Sequence, residues 1–258
     1  CVLMVPLELH FGWDRATFSF TAATGSLFYG LVGPVAAALM QTYGIRRTML
    51  AGLTLMAGAT FASQWMSESW QFFVLWGVLS GIGSGAVAPV LGVTVVNRWF
   101  AKNQGLVIGL LTASTATGSL VFLPLMAWFT QTGAWTPVVL YVSLACAALI
   151  PLVWFLVPER PADVGTTRYG EAEGTTPPPR RIASPRLAIT LLKDAARVPM
   201  FWLLFGTFFV CGLTTNGLVG THLIAYCGDM GIAPVAAAGL MTMMGVFDLV
   251  GTTASGWL

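Results

Sequence analysis

The 258-residue sequence predicts an all-α integral membrane protein, a bundle of transmembrane helices. Hydrophobic residues make up 56% of the chain and charged residues only 9%, whereas soluble domains carry roughly 25% charged residues. A soluble core of this length could not hide so much apolar surface, because a folded protein must still face water. Most apolar runs also reach the roughly 20 residues that a helix needs to cross a bilayer.

The apolar runs define the helices in chain order. Residues 1–9 cover only about half a crossing and lack the basic start and cleavage site of a signal peptide. We therefore interpret them as the outer half of a first helix in a longer protein. Barrel strands would be about 10 residues long and alternate in polarity, so helices are favoured. Seven longer runs each predict one further helix: 17–40, 48–66, 70–96, 105–129, 136–157, 200–227 and 234–258.

The charged residues predict the orientation of this bundle. All basic residues except Arg15 lie in the second, fourth and sixth polar breaks. These breaks alternate with the others and so share one side, which the positive-inside rule assigns to the cytoplasm. We expect a protein of the bacterial inner membrane, with the loops 2–3, 4–5 and 6–7 cytoplasmic. The opposite breaks carry Glu8, His10, Asp14, Arg15, Glu68 and Asp229.

The sixth break is long enough to divide the chain. Residues 158–199 are polar and rich in proline, which predicts a mobile cytoplasmic linker whose end, 185–198, can form an amphipathic surface helix. Six helices, a long loop and a second bundle are typical of a two-half transporter. We therefore predict a six-helix N-terminal half at 1–157, the linker at 158–199, and the first two helices of a C-terminal half at 200–258.

Asp248 is the strongest candidate for a functional side chain. It lies near the middle of the eighth predicted helix, where an ionised carboxylate costs at least about 2.5–3.5 kcal/mol, so we expect it to face a cavity or a partner. Gly245, Thr252 and Ser255 fall on the same helical face. Desolvation favours the protonated form, so Asp248 could carry a proton or brace a cation; the alternative is a structural hydrogen bond to a neighbouring helix.

The seventh helix supplies the other candidates for the solute pathway. Three glycines within nine residues, beginning at Gly212, predict a weak or broken helix, which membranes tolerate where it lines a cavity. Thr215, His222 and Tyr226 share one face at i, i+7 and i+11, and Asn216 lies beside that face at mid-depth. They are candidates for solute binding or gating, while simple hydrogen bonding is the alternative for His222.

Glycines in the fourth helix predict close packing. Gly77, Gly81 and Gly85 are spaced i, i+4, i+8, a ridge that lets a neighbouring helix approach. Generic packing and a seam along which helices rock are both consistent with that spacing.

Enzyme chemistry has no motif in this sequence. We find no nucleophile–histidine–acid arrangement, phosphate loop, zinc pattern or haem motif. We therefore expect no enzyme activity, no cofactor, no metal and no nucleic-acid partner. The expected partners are the lipid bilayer and a small solute.

The second break carries a family resemblance. It reads Gly33-Pro-Val-Ala-Ala-Ala-Leu-Met-Gln-Thr-Tyr-Gly44-Ile-Arg46-Arg47, which resembles the G-x-L-x-D-R-x-G-R-R loop of the major facilitator superfamily. Ala37 replaces the leading glycine and Gln41 the aspartate, so the family's charge relay lacks its acid here. The resemblance implies a conformational-switch loop built from the matching residues Gly44, Arg46 and Arg47.

A narrower resemblance points to a branch of that superfamily. Arg98-Trp99-Phe100, Pro124-Leu125 and Asp248 are similar to the monocarboxylate and oxalate/formate porters. This implies a secondary active transporter of a small organic anion, with alternating access of two six-helix halves and a proton as the candidate coupling ion. Two arginines common in the family are replaced here, by Gly77 and Thr252.

Two other functions remain open at this point. The same fold could carry a drug or a sugar. The chain could also belong to a membrane receptor or scaffold that does not transport and signals through residues 158–199.

Overall fold

The described part of the chain forms a bundle of helices. The computed structural model describes residues 3–87, 89–130, 135–170, 190 and 192–257. The predicted all-α fold and the predicted order of helices are confirmed. The helices are α1 (Met4–Phe11), α2 (Arg15–Thr42), α3 (Ile45–Ala62), α4 (Ser69–Trp99), α5 (Gln104–Thr130), α6 (Thr136–Leu156), α7 (Pro199–Asp229) and α8 (Pro234–Trp257).

Counted over the described residues alone, five helices are long and apolar enough to cross a membrane: α2, α4, α6, α7 and α8. Large apolar side chains cover their surfaces, such as Phe155 and Phe208, which are 83% and 76% exposed. An apolar surface of this extent is stable in lipid but not in water. The predicted membrane location of the chain is therefore confirmed.

Two of the helices contain a π-helical segment. It spans Phe73–Leu79 in α4 and Gly212–Val219 in α7. The prediction of a locally weakened seventh helix is thus confirmed, in the form of widened turns rather than a break. π segments are frequent at functional sites.

The glycines of α4 pack directly on neighbouring backbones. A Cβ atom built on Gly81 would lie 2.8 Å from the carbonyl oxygen of Gly25 in α2, and one on Gly83 would lie 2.9 Å from that of Gly52 in α3. Both glycines are buried. The ridge predicted from the glycine spacing therefore serves close packing of α2, α3 and α4.

The bundle has two ends of different character. One, the basic end, holds the break between α2 and α3 and the end of α4, where Arg46 and Arg98 lie. At the other, the opposite end, Leu7 of α1, Trp135 and Ala225 of α7 share one buried cluster. The polar breaks alternate between these ends, as the charge pattern predicts.

The start of the predicted linker is bound to the basic end. Tyr169 pairs with the chain after α4: its N–H donates to the carbonyl of Trp99 at 2.8 Å, and its carbonyl accepts from Ala101 at 2.9 Å. These two bonds tie the end of the described linker segment, residues 158–170, to the end of α4; the mobility of the linker stays a prediction. Of the predicted amphipathic helix, 192–195 are helical, while 185–189 and 191 lie outside the described residues.

Candidate functional site

The predicted switch loop contacts an acidic residue, Glu159, that follows α6. The carboxylate of Glu159 accepts hydrogen bonds from the backbone N–H groups of Ile45 at 2.8 Å and Arg46 at 3.0 Å. These are among the first N–H groups of α3, which have no partner within the helix. A carboxylate also interacts favourably with the positive end of the helix dipole. Glu159 therefore caps α3 at its N-terminus.

Arg98 connects this cap to two other helices. Its guanidinium lies 3.7 Å from the Glu159 carboxylate and donates at 2.9 Å to the carbonyl of Met40, near the end of α2. Both charged side chains are about three-quarters buried, with exposed fractions of 25% for Arg98 and 29% for Glu159. The ends of α2 and α4, the start of α3 and the start of the linker thus share one polar network.

The two arginines of the loop have different surroundings. The Arg46 guanidinium lies over the Trp154 ring, 5.3 Å from its centroid, a favourable cation–π arrangement. Arg47 is exposed, at the rim of an apolar groove between α2, α3 and α4. Arg46 therefore joins α3 to α6, whereas Arg47 is left at the surface of the described structure.

Gly44 is required by both backbone and space. Its φ is +102° and its ψ is 160°, a region essentially restricted to glycine. A Cβ atom there would collide with the Glu159 carboxylate. Glycine at this position lets the acid reach the N–H groups of α3.

We expect Gly44→Ala to destabilise the protein by about 1–3 kcal/mol, because alanine is strained in this conformation and displaces Glu159. The thermal unfolding midpoint of the purified protein in detergent would show the loss. Gly12→Ala is the matched control, since Gly12 also has a positive φ, +67°, but nothing within 4 Å of its Cβ position. Equal shifts for the two variants would contradict the proposed contact with Glu159.

The α7 candidates lie in two kinds of helix. Thr215 lies in the π-helical segment, whereas His222 and Tyr226 lie in the regular helix that follows. The spacing assumed a uniform α-helix, and π-helical turns shift the register, so the shared face of Thr215 with the other two stays a prediction. His222 is half-buried, and Thr215 and Tyr226 are exposed. Asn216 is in the π segment, but its side chain is outside the described part.

Asp248 is exposed on α8, in the apolar stretch that runs from Val235 to Ser255. Within the described residues its carboxylate makes no hydrogen bond or ion pair, and none joins it to the α7 candidates. The Thr252 hydroxyl donates to the backbone carbonyl of Asp248 at 2.7 Å. This bond occupies the donor of the Thr252 side chain within its own helix.

Three further charged residues form a contact that the sequence did not single out. Arg15 at the start of α2 binds Asp229 at the end of α7, at 2.7 and 2.9 Å, and Glu8 of α1 at 3.2 Å. The sequence signal was that Arg15 alone among the basic residues lies in an acidic break. The pairing itself joins residues 214 positions apart, which no local pattern encodes.

Glu159 was also missed as a functional residue. It lies just after α6, beside Pro158, in a break that carries seven basic and five acidic residues. An acid next to Arg160 in such a break gives no local signal for its contact with α3, which depends on the fold. In the described ranges no group of three His, Cys, Asp or Glu residues could hold a metal ion.

The comparisons with known proteins agree with this architecture. The sequence profile of the Major Facilitator Superfamily matches residues 2–258. Among curated proteins, the chain is similar to the "Uncharacterized MFS-type transporter YcxA" of Bacillus subtilis (strain 168). The two are 24% identical over 256 residues, which cover 99% of the chain and 59% of that protein.

Two similar proteins are named for a substrate class. "Monocarboxylate transporter 13" of Bos taurus is 26% identical over 268 residues, covering 100% of the chain and 56% of that protein. "Monocarboxylate transporter 4" of Mus musculus is 26% identical over 244 residues, covering 90% of the chain and 47% of that protein. The chain thus spans about half the length of these relatives.

Proposed function

The chain belongs to the major facilitator superfamily, and we propose that the protein containing it is a secondary active transporter of a small organic anion. The observation that carries this proposal is similarity along the whole chain to a protein named as a monocarboxylate transporter. The family is one of transporters, not of enzymes. An ion or solute gradient drives the transport.

The basic end faces the cytoplasm in this proposal. The positive-inside rule supports that orientation, since the polar breaks at this end carry the arginines. The membrane is the bacterial inner membrane. Residues 1–157 then form the first half, 158–199 the cytoplasmic linker and 200–258 the first part of the second half.

Transport proceeds by alternating access between two states. Those states must lie within a few kcal/mol of each other for both to be visited. The π-helical segments of α4 and α7 support this assignment, because such segments cluster at functional sites. The loop of Gly44, Arg46 and Arg47 is the switch, held in the present state by Glu159.

The solute and proton pathway lies along α7 and α8. Asp248 is the titratable group. An ionised carboxylate in an apolar segment is costly, and the few that occur mark substrate and proton pathways. Thr215, Asn216, His222, Tyr226 and Thr252 line the pathway. Asp248, Thr215 and Tyr226 are exposed in the described structure.

Uptake assays test the substrate class directly. The complete protein is reconstituted in vesicles, and uptake of labelled lactate, pyruvate and oxalate is measured with and without an imposed pH gradient. Inhibition of this uptake by unlabelled drugs and sugars tests whether the protein binds those other solutes. Accumulation of an organic anion supports the proposal, and uptake of a sugar or a drug alone would sink it.

Asp248→Asn is expected to abolish the response of uptake to the pH gradient, because the amide cannot bind and release a proton. Solute exchange without a gradient should persist. Asp194→Asn is the control, since Asp194 is an exposed acid of the linker paired only with Arg197 three residues away among the described contacts. Unchanged pH dependence in Asp248→Asn would remove the proton role and leave the transport assignment in place.

A further inference from the structure

Arg15 holds two carboxylates from different parts of the chain. Its Nη1 and Nη2 atoms donate to the two oxygens of Asp229, at 2.7 and 2.9 Å. Its Nε atom donates to both oxygens of Glu8, each at 3.2 Å. The contact with Asp229 is a two-pronged guanidinium–carboxylate pair, the strongest and most directional form of this interaction.

This pair joins the two halves of the chain. Glu8 and Arg15 belong to α1 and α2, whereas Asp229 ends α7. Without the guanidinium, the carboxylates of Glu8 and Asp229 would face each other across the gap and repel. Arg15 thus converts a repulsion between the halves into an attraction.

An apolar contact lies beneath the ion pair. Ala225 of α7 is buried in one cluster with Leu7 of α1 and Trp135. Cys227, only 5% exposed, is buried in a second cluster with Met126 of α5 and Val138 of α6. Residues of α1, α5 and α6, with Trp135 just before α6, therefore pack on the end of α7, and the charged cluster lies at the rim.

The strength of the pair suits a contact that opens in each cycle. Arg15 and Asp229 have side chains that are 44% and 52% exposed, and exposed ion pairs are individually weak because water and salt screen them. A strong, fully buried pair would trap one state. A weak but directional ion pair favours the closed state and can still break when this end opens.

From this geometry we propose that Glu8, Arg15 and Asp229 form a latch that closes the opposite end of the transport path. The closed contact is what the structure contains; its role in a transport cycle rests on the proposed function. Breaking the latch shifts the protein toward states in which this end is open.

Cys227 provides a reporter for the opening. In a protein with Cys1, Cys146 and Cys211 replaced by alanine, Cys227 is the remaining thiol of this chain, and it is buried while the latch is closed. Its rate of reaction with a charged, membrane-impermeant maleimide is measured in reconstituted vesicles that expose both faces. No transported solute is required.

Arg15→Gln is expected to raise the labelling rate of Cys227 about two- to five-fold, the factor that corresponds to an exposed ion pair. Arg15→Glu should raise it further through repulsion, and adding Asp229→Arg should bring it back toward the parent rate. Asp14→Asn is the matched control in the same loop, since Asp14 caps α2 with its backbone only.

An unchanged rate in Arg15→Glu, or failure of the reversed pair to restore protection, would overturn the latch. Restoration shows that the charge pairing, rather than the arginine side chain itself, protects Cys227. The labelling experiment tests the latch independently of the proposed function, because labelling of Cys227 needs no transported solute. If the latch responds but no organic anion is carried, the substrate proposal fails alone; if anions are carried and labelling is indifferent to Arg15, the latch fails alone.

Discussion

Replacing Gly81 with leucine is expected to prevent the fold from assembling. A Cβ atom at this position would already lie 2.8 Å from the carbonyl oxygen and 3.1 Å from the Cα atom of Gly25. Those neighbours are backbone atoms, so the side chain cannot be accommodated by a change of rotamer, and α4 must separate from α2. Overpacking costs about 1–3 kcal/mol and occasionally more, and leucine adds three carbons beyond that Cβ.

The loss would be visible as a reduced yield of monodisperse protein in detergent and a lower thermal midpoint. Gly81→Ala is expected to have a smaller effect, a loss of stability of about 1–3 kcal/mol. Gly58→Leu on α3 is the matched control, because nothing lies within 4 Å of its Cβ position, and we expect it to stay within about 0.5 kcal/mol of the parent protein. Equal yields for Gly81→Leu and Gly58→Leu would contradict the packing of α4 on α2.

Glu159→Ala is expected to destabilise the basic end by about 1–3 kcal/mol, since it leaves the largely buried Arg98 without this acid and two N–H groups of α3 without their acceptor. The cap alone corresponds to about 0.5–2 kcal/mol. Thermal unfolding and hydrogen exchange of the Ile45 and Arg46 amides would measure the two contributions, with faster exchange in the variant.

The conservative variant Glu159→Gln separates capping from charge. Glutamine keeps one acceptor for the N–H groups but not the ion pair with Arg98. The stability of Glu159→Gln should therefore lie between that of the parent protein and that of Glu159→Ala. Asp194→Ala serves as control, because its pair with Arg197 is mostly exposed and contributes little. Amide exchange at Ile45 that is the same in all variants would refute the cap.

Local patterns were enough to predict the course of the chain through the membrane. The length of an apolar run sets whether a helix can cross, and the position of basic residues sets the end at which each break lies. The glycines of α7 likewise predicted a departure from regular helix, which the structure places at Gly212–Val219. Each of these properties depends on residues that are neighbours in sequence.

The side-chain pairings required the folded structure. Glu159 meets α3 across 114 residues, and Arg15 meets Asp229 across 214; no local pattern contains either distance. Thr215 lies in a π segment that ends before His222, and such a segment changes the helix register, so their spacing in the sequence does not decide whether they share a face. The sequence by itself therefore determined which segments are helices and which end each break occupies, because hydropathy and charge act locally. Tertiary structure alone decided which acid meets which base, because that choice depends on how the helices pack.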